Sequence, residues 1–480
     1  MKKEKNLVSN YIYNTIFTCL NLVFPIVTLP YVSRIIGVDG IGKVNFSNSI
    51  VNYFLMIASL GIPIYGVREI AKVRNDDKEL SNAFSEIFTI NMLSTIFCII
   101  VYYLMIINVN YFKDNKLLFI ISGISLMLNI LNLDWFYQGI EEYRYITIRS
   151  SIVKLFSIIF MFIFVRTEKD YITYALINVI AISGNNIINA INIRKIIKIS
   201  FKNLDIKKRI RPIAILLSIQ LAINIYANLD TTMCGILSNE ASVGFYSNAV
   251  KINRIIVTVV ISISTILLPR LSFYIENNNF NEFNIIVNKV FKVLLFIALP
   301  IMFGVYFLSK QIIIIMFGEK FIPAISTLQI LSPLIFVLSI GNLFGTQVLI
   351  PLGKEKKLLI SVIAGSIINF VLNLILIPIY KQNGAAFATV IAEGVIMIIQ
   401  VYFAKKLVKI DIKFNEILNL IITNMLMIIC LIVINISIYN MIINIILSVV
   451  VGGGAYIASN LLFKNEILIE IIKKLKYIKF

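Results

Sequence analysis

Uninterrupted apolar runs of about 20 residues recur from one end of this 480-residue chain to the other. A segment of that length and polarity, folded as an α-helix, matches the thickness of the hydrocarbon core of a bilayer. The whole chain is 59% hydrophobic and 14% charged, whereas a soluble domain is about 45–50% apolar and about 25% charged. We therefore predict an all-α integral membrane protein.

The apolar runs predict about fourteen transmembrane helices. The first begins directly after the sequence MKKEKN and is too long for the core of a signal peptide, so we expect it to be retained. The predicted spans cover residues 11–33, 45–66, 84–107, 117–138, 146–165, 171–192, 213–236, 244–268, 286–308, 323–350, 358–379, 384–404, 416–438 and 441–463.

Lysine and arginine lie mostly on one side of these predicted spans. If the N-terminus is cytoplasmic, the segments that face the cytoplasm carry 29 of them and the outside segments carry 9. This asymmetry follows the positive-inside rule and predicts a multi-pass protein with both termini in the cytoplasm. It also accounts for the net charge of +19 without nucleic acid as a partner, because short basic segments at helix ends meet anionic membrane lipids.

Two stretches of the chain echo each other in corresponding positions. Phe46-Ser47-Asn48 opens the second predicted span, and Tyr246-Ser247-Asn248 opens the eighth. We therefore predict two six-helix lobes with the same orientation, and folds of this kind bind their substrate between the halves and rock one against the other. The predicted units are an N-terminal lobe (1–193), a basic cytoplasmic linker (194–212), a C-terminal lobe (213–410), two extra transmembrane helices (411–463) and an amphipathic cytoplasmic tail (464–480) along the inner leaflet.

Ionisable residues inside the predicted spans are the candidate functional residues, because each costs about 2.5–3.5 kcal/mol at the bilayer centre unless it faces a polar interior. Lys251 and Arg254 share one helical face and would form a cationic lining for an anionic substrate. Arg34 and Lys154 are further candidates for this lining. Asp230 is a candidate ion-pair partner of Lys251 or Arg254, and the alternative to a lining is ion pairs that fix helix packing or lysines that snorkel to the headgroups.

A carboxylate and a group of asparagines leave two interpretations open. Glu393 would either take up a proton or cation, coupling transport to an H⁺ or Na⁺ gradient, or hydrogen-bond to a neighbouring helix. The asparagines of spans four and six would either line a sugar-binding cavity or join helices; they are Asn129, Asn132, Asn185, Asn186 and Asn189. Arg149, near the inner end of span five, is expected to snorkel.

The stretch LDWFYQGIEEYRYITIR (133–149) holds the only tryptophan of the chain. Four crossings from a cytoplasmic N-terminus place it at the inner face, where the aromatic residues are predicted to form an interfacial belt; they are Trp135, Phe136, Tyr137, Tyr143 and Tyr145. Asp134 would face either the inner mouth of a cavity or water. The chain has no histidine, its four cysteines are scattered singly, and it has no GxxxxGK[ST] loop, so we predict no catalytic residue, metal, resident cofactor or ATPase.

An ordered set of segments is similar to the bacterial polysaccharide flippases of the multidrug/oligosaccharidyl-lipid/polysaccharide exporter superfamily. The resemblance covers nearly the whole chain. The segments are LPYVSRIIGVDGIGKVNFSNSIVNYFLMIASLGIPIYGVREIA (29–71), LDWFYQGIEEYRYITIR, then LDTTMCGILSNEASVGFYSNAVKI and ILLPRLS within 229–273, MFGEKFIPA, LIPLGKEKK and NGAAFATVIAEG.

The resemblance implies two six-helix lobes around a central cavity and a flippase of undecaprenyl-pyrophosphate-linked oligosaccharide, such as an O-antigen or capsule repeat unit. The cargo would move from the inner to the outer leaflet of the bacterial cytoplasmic membrane, with a polysaccharide polymerase and assembly proteins as candidate partners. By position, Arg34, Lys251 and Arg254 would meet the pyrophosphate and acidic sugars. The alternatives are a drug/cation antiporter of the same superfamily, which would need an acidic cavity, and a membrane polysaccharide polymerase, which would need a large outer loop or a carboxylate/metal constellation.

Overall fold

The computed structural model describes residues 7–197, 204–265, 267–411, 413–465 and 467–470, and these residues form helices and connecting turns without a strand. The chain divides into two compact units, Met1–Gly244 (unit 1) and Phe245–Phe480 (unit 2). Within the predicted linker, residues 198–203 lie outside the described part of the chain, as do residues 471–480 of the predicted tail. The predicted lobe boundaries stay predictions.

Unit 1 is a bundle of long helices joined by short turns. Three short 3₁₀ turns, Asn110–Phe112, Asn129–Leu131 and Glu168–Asp170, connect them. The helix α9 starts in unit 1 and continues into unit 2. The helices are α1 Leu7–Ser59, α2 Ile62–Val73, α3 Asp77–Asn108, α4 Lys116–Leu128, α5 Asp134–Gly139, α6 Tyr143–Phe164, α7 Tyr171–Ile193, α8 Lys207–Leu237 and α9 Glu240–Thr265.

Helix α1 holds two crossings because the chain reverses at Gly37. Gly37 has a φ of 76°, in the left-handed region that glycine adopts without a steric penalty. The start of α6 lies beside Tyr13 and its end beside Tyr31, whose hydroxyl donates to the carbonyl of Val165 at 2.8 Å. The following helix α7, which packs against α6, starts beside Lys43. The two halves of α1 therefore run in opposite directions.

Unit 2 continues from α9 with shorter and more broken helices. Pro333 separates α12 from α13, and a π-helical segment, Leu343–Leu349, follows α13. A second π-helical segment, Ser448–Gly452, joins the last two helices. The helices are α10 Leu268–Glu276, α11 Phe280–Phe317, α12 Ala324–Leu331, α13 Leu334–Asn342, α14 Glu355–Tyr380, α15 Gln382–Lys405, α16 Phe414–Ser437, α17 Met441–Leu447 and α18 Gly453–Leu462.

Twelve segments of the described chain are long and apolar enough to cross a membrane. The first of them, Ile12–Val73, contains the reversal at Gly37 and so covers two of the predicted spans. Helix α8, which corresponds to the seventh predicted span, contains residues 215, 216 and 218–227, whose side chains lie outside the described part of the chain, so this span stays a prediction. An all-α, multi-pass membrane protein is therefore confirmed, while the total of fourteen spans stays a prediction.

The turns of unit 1 gather at two ends, as the predicted alternation of inside and outside loops requires. At one end Arg74 forms an ion pair with Glu141, and Arg209 with Glu69 and Glu86. Burial lowers the pKa of the Arg209 guanidinium, but hydrogen bonds with Glu86 and Tyr65 outweigh it, and the pKa is raised overall. Arg209 therefore fastens the start of α8 to α2 and α3.

The other end of unit 1 joins loops that are predicted to lie outside. The Tyr111 hydroxyl donates to the carbonyl of Gly235 at 2.6 Å, and the amide of Asn115 donates to Glu240 at 3.3 Å. The start of α9 also touches α1, since a Cβ added to Gly42 would lie 1.8 Å from the carbonyl oxygen of Glu240. Which of the two ends faces the cytoplasm stays a prediction.

The prediction of an aromatic belt on residues 135–137 is wrong. Trp135 is 3% exposed, and Phe136 and Tyr137 are fully buried. The Trp135 ring stacks on Phe84 with centroids 5.5 Å apart, and its other neighbour is Gly66, where a Cβ would lie 2.5 Å from the indole. These aromatic residues belong to the core that joins α2, α3 and α5, because Gly66 leaves room for the large indole ring.

Each unit has an edge-to-face aromatic contact beside the repeated sequence, but the two contacts are not at equivalent positions, because Tyr246 and not Phe245 aligns with Phe46. In unit 1 the rings of Phe46 and Phe119 meet edge to face, with centroids 6.0 Å apart and an interplanar angle of 89°. In unit 2 Phe245 and Phe321 meet at 6.1 Å and 89°. Each pair joins the helix that carries the repeated sequence to the start of a later helix in its own unit.

The last helices are fastened to α11 by buried polar contacts. The amide of Gln311 donates to Asn435 at 2.7 Å and to Asn444 at 3.1 Å, and the Tyr456 hydroxyl donates to the carbonyl of Phe296 at 2.8 Å. Leu468, which was expected to face the lipid as part of the amphipathic tail, is instead buried in this core. Leu468 therefore packs against the protein.

Candidate functional site

A polar stripe runs along α9 within an apolar segment. Arg254, Thr258, Ser262 and Thr265 are all exposed, and Lys251 lies half-buried on the same helical face. The spacing of three or four residues places these side chains one above the other. At a rise of 1.5 Å per residue the stripe is about 21 Å long, which is most of the roughly 30 Å hydrocarbon core.

The hydroxyl groups of this stripe satisfy their own donors within α9. Thr258 donates to the carbonyl of Arg254 at 2.7 Å, Ser262 to that of Val259 at 2.6 Å, and Thr265 to that of Ser262 at 3.0 Å. This bonding lets serine and threonine occupy an apolar helix at small cost. The oxygen lone pairs that remain still require a polar environment.

A second polar stripe lies on the first half of α1 and includes one predicted site residue. Asn14, Thr18 and Asn21 are exposed at intervals of four and three residues. Lys154 of α6 donates to the Asn21 side-chain oxygen, and its ammonium lies 5.6 Å from the centre of the Phe24 ring. Lys154 therefore bridges α6 and α1 beside exposed amides.

Exposed polar groups at this depth indicate water. An amide or guanidinium that faced hydrocarbon would lose its hydrogen bonds, which costs several kcal/mol for each unsatisfied group. Polar residues within membrane spans accordingly face a bundle interior or a water-filled cavity. The stripes of α1 and α9 are therefore the described surfaces best suited to line an aqueous path.

The remaining predicted residues lie in different surroundings. Arg34 is exposed, three residues before the reversal at Gly37. Asp230 lies in α8 and is 6% exposed. Two residues further along α8, the Thr232 hydroxyl donates to the Ser49 hydroxyl of α1 at 3.0 Å. Glu393 is half-buried on α15. Asp230 belongs to unit 1, whereas Lys251 and Arg254 belong to unit 2, and their pairing stays a prediction.

The snorkelling prediction for Arg149 is wrong, because its side chain is buried inside unit 1. It is 3% exposed and donates to Asp134 at 2.9 Å, to Asn185 at 3.2 Å and to Asn189. Asn189 in turn donates to the same oxygen of Asp134 at 2.8 Å. This Arg149 cluster joins α5, α6 and α7 and leaves Asp134 partly accessible, with 33% of its side chain exposed.

The asparagines of α7 and of the turn after α4 join helices. Asn129 donates to Thr95 at 3.1 Å and Asn186 to the carbonyl of Leu128 at 3.1 Å, and both asparagines are buried. Of the two open interpretations, the structure favours helix association over a sugar-binding surface.

The polar stripes include residues that the sequence interpretation missed. Thr258, Ser262, Asn14 and Asn21 carry no charge and were not selected, although their helical spacing is visible in the printed sequence. A search for polar positions at intervals of three and four inside apolar runs would have found them. Among the residues that the structure describes, no group of three or more Cys, Asp or Glu side chains is arranged to hold a metal ion.

Comparison with known proteins identifies the family models and the relatives to which this chain is similar. The family model for "Polysaccharide biosynthesis protein" matches residues 7–275, more than half of the chain. The MatE family model matches residues 215–375. The chain is similar to a protein named as an O-antigen transporter of Escherichia coli K12, with 23% identity over 83% of this chain and 97% of that protein. It is also similar to a capsular polysaccharide biosynthesis protein of Staphylococcus aureus, with 25% identity over 84% of this chain and 100% of that protein.

Solved structures share the fold. A lipid II flippase in an inward closed conformation superposes with a TM-score of 0.76 and 17% identity over 96% of this chain and 100% of that chain. An inward-facing multidrug resistance transporter of the MOP superfamily superposes with a TM-score of 0.61 and 12% identity over 83% and 97% of the two chains. The chain therefore belongs to the polysaccharide biosynthesis protein family.

Proposed function

We propose that this protein is a flippase that moves a lipid-linked polysaccharide repeat unit from the inner to the outer leaflet of a bacterial cytoplasmic membrane by alternating access. The names of its relatives support this assignment, since they include an O-antigen transporter and a capsular polysaccharide biosynthesis protein. The fold it shares with a lipid II flippase supports it as well.

The observation that carries the proposal is the polar stripe on α9. A sugar chain cannot cross hydrocarbon unaided, because its hydroxyl groups would give up their hydrogen bonds with water. A wet helix face about 21 Å long would keep the head of the cargo solvated through most of the core while the lipid tail stays in the bilayer. Exposed Arg254, with Lys251 one turn before it, would attract the phosphate groups that link sugar to lipid.

The finer assignments follow from the same chemistry. The proposed cargo is an undecaprenyl-pyrophosphate-linked oligosaccharide, with Arg254, Lys251 and Arg34 meeting the pyrophosphate and Lys154 and Asp230 contributing further polar groups. Glu393, a half-buried carboxylate on α15, is the proposed coupling group for H⁺ or Na⁺. Both termini are proposed to be cytoplasmic, with a polysaccharide polymerase and assembly proteins as partners.

Transport in proteoliposomes tests the cargo. Fluorescent lipid-linked oligosaccharide is placed in the outer leaflet and in both leaflets of separate vesicles, and its exposure is followed by dithionite quenching. Wild type should move the lipid, and Arg254→Ala should slow this at least about ten-fold, as expected for loss of a charge-assisted contact to phosphate. Arg270→Ala, an exposed arginine in α10 of the same unit, is the matched control and should retain the wild-type rate.

Two further arms separate the alternatives. Transport of a cationic dye without transport of the oligosaccharide would replace the proposal with a drug/cation antiporter, for which the cationic stripe is poorly suited. Abolishing first the Na⁺ gradient and then the pH gradient identifies the coupling ion. If Glu393→Gln keeps the full response to that gradient, Glu393 is not the coupling group.

A further inference from the structure

Three segments that are distant in sequence enclose a basic cleft within unit 2. Its walls are the first turns of α11, residues 409–411 and 413 with the start of α16, and residues 463–465, 467 and 470 after α18. The cleft has two compartments of about 880 and 200 Å³, which share Lys292 and Ile467 as lining residues. Five lysines line it: Lys289, Lys292, Lys409, Lys413 and Lys464.

Polar contacts fix the walls of the cleft to one another. Asn288 of α11 donates to the carbonyl of Lys409 at 2.6 Å and accepts from the backbone N–H of Asp411 at 2.8 Å. Lys292 pairs with Glu416 of α16 at 2.7 Å, and Lys289 pairs with Glu470 beyond α18. The cavity is therefore built by the fold, and its shape does not depend on a single loose side chain.

The cleft carries an excess of positive charge. Among the residues that the structure describes, its five lysines face three carboxylates, namely Asp411, Glu416 and Glu470. Helix α16 begins at Phe414, so its N-terminal N–H groups lie beside the smaller compartment, and a helix N-terminus favours an anion. Lysines that only snorkel extend into solvent, whereas the Lys292 side chain is 23% exposed and is held in the wall.

The position of the cleft suggests the source of an anion. Two of the walls follow the twelfth and the last predicted spans and were predicted to lie on the cytoplasmic side, and the third includes the predicted cytoplasmic end of the ninth span (286–308). Charged groups at such positions lie at the level of the phospholipid headgroups. The carbon stems of the lysines and the side chain of Ile467 would contact the apolar part of a lipid beside its headgroup.

We propose that this cleft binds a phosphate group, supplied by an anionic phospholipid headgroup or by a soluble phosphate compound. The site shares no residue with the stripes of α1 and α9. It goes beyond the flippase function, because the bound phosphate would act as an additional tether between α11, α16 and the terminal segment. Glu470 forms an ion pair with Lys289 and would compete with an incoming phosphate.

Calorimetric titration of the full-length protein in neutral detergent tests the proposal. The probes are dioctanoyl phosphatidic acid, inorganic phosphate and, as a zwitterionic control, dioctanoyl phosphatidylcholine. Wild type should bind at least one of the two anionic probes and not the zwitterion. Binding of the lipid alone assigns the site to a headgroup, and binding of both probes assigns it to phosphate from either source.

Two variants that change the charge of the cleft in opposite directions test the proposal further. Lys409→Gln with Lys413→Gln removes two exposed cations and should weaken binding at least about ten-fold. Glu470→Gln removes the competing carboxylate and should tighten binding. The charge-matched control is Lys354→Gln with Lys356→Gln, two exposed lysines of unit 2 outside the cleft. The proposal is overturned if wild type binds neither anion, if the control weakens binding as much, or if Glu470→Gln weakens it.

Discussion

Replacing Asp134 by asparagine tests the role of the buried Arg149 cluster. The change removes the carboxylate that accepts from Arg149 at 2.9 Å and leaves a guanidinium that is 3% exposed. Removing one partner of a buried ion pair costs about 3–5 kcal/mol. The Asp134 side chain is 33% exposed, and two asparagines still accept from Arg149, so the expected loss is smaller. We expect the free energy of unfolding to fall by about 2 kcal/mol.

The chain supplies its own probe for this measurement. Trp135 is the only tryptophan, it adjoins Asp134, and it is buried against Phe84. Its fluorescence during denaturant titration in mixed micelles therefore reports the unfolding of this region. The control is Asp114→Asn, an exposed carboxylate of unit 1, which should change stability by no more than about 0.5 kcal/mol.

Two results would refute this reasoning. If Asp134→Asn is as stable as the Asp114→Asn control, the ion pair adds nothing to the asparagine contacts. The double variant Asp134→Leu with Arg149→Met removes both charges, and it should recover part of the loss, because no buried charge is left unpaired. A double variant no more stable than Asp134→Asn would show that the cost is one of packing.

Two further changes probe close packing and buried amides. Gly42→Ala places a Cβ 1.8 Å from the carbonyl oxygen of Glu240, so the start of α9 must shift, and a loss of about 1–3 kcal/mol is expected in thermal unfolding. The control Gly304→Ala meets no atom within 4 Å and should be neutral or stabilising by up to about 1 kcal/mol. Asn444→Leu deprives Gln311 of one acceptor and should lower stability by about 0.6–1.7 kcal/mol; an unchanged melting temperature would contradict the role of this contact.

The architecture could be predicted from sequence because hydrophobic length and basic loops act locally. A run of apolar residues is long enough to cross a bilayer whatever its neighbours are, and a lysine beside it marks a side. The pairing of the loops at each end of unit 1 follows from that alternation. The reversal at Gly37 needed one more signal, a residue able to adopt a positive φ between two spans without a loop.

The surroundings of individual side chains could not be predicted in the same way. The sequence around Trp135 would be the same whether its side chain faced lipid or protein. Its burial depends on Gly66, 69 positions earlier, which leaves room for the indole ring. Arg149 is buried because Asn185 and Asn189, one turn apart on α7, face it. Such pairings depend on which helices are neighbours, and hydropathy does not contain that information.

The hydroxyl groups on α9 have a consequence for selectivity. Each hydroxyl group donates its hydrogen bond to a backbone carbonyl of α9. In the proposed flippase, the stripe would therefore offer passing sugars only oxygen lone pairs and would hold them weakly. Such a surface would take the place of water around the sugar without recognising a particular sugar ring. In the proposed flippase, discrimination would then fall to the two cations at one end, Lys251 and Arg254. Changing the sugar should therefore alter the transport rate little, whereas removing the phosphate from the lipid should stop transport.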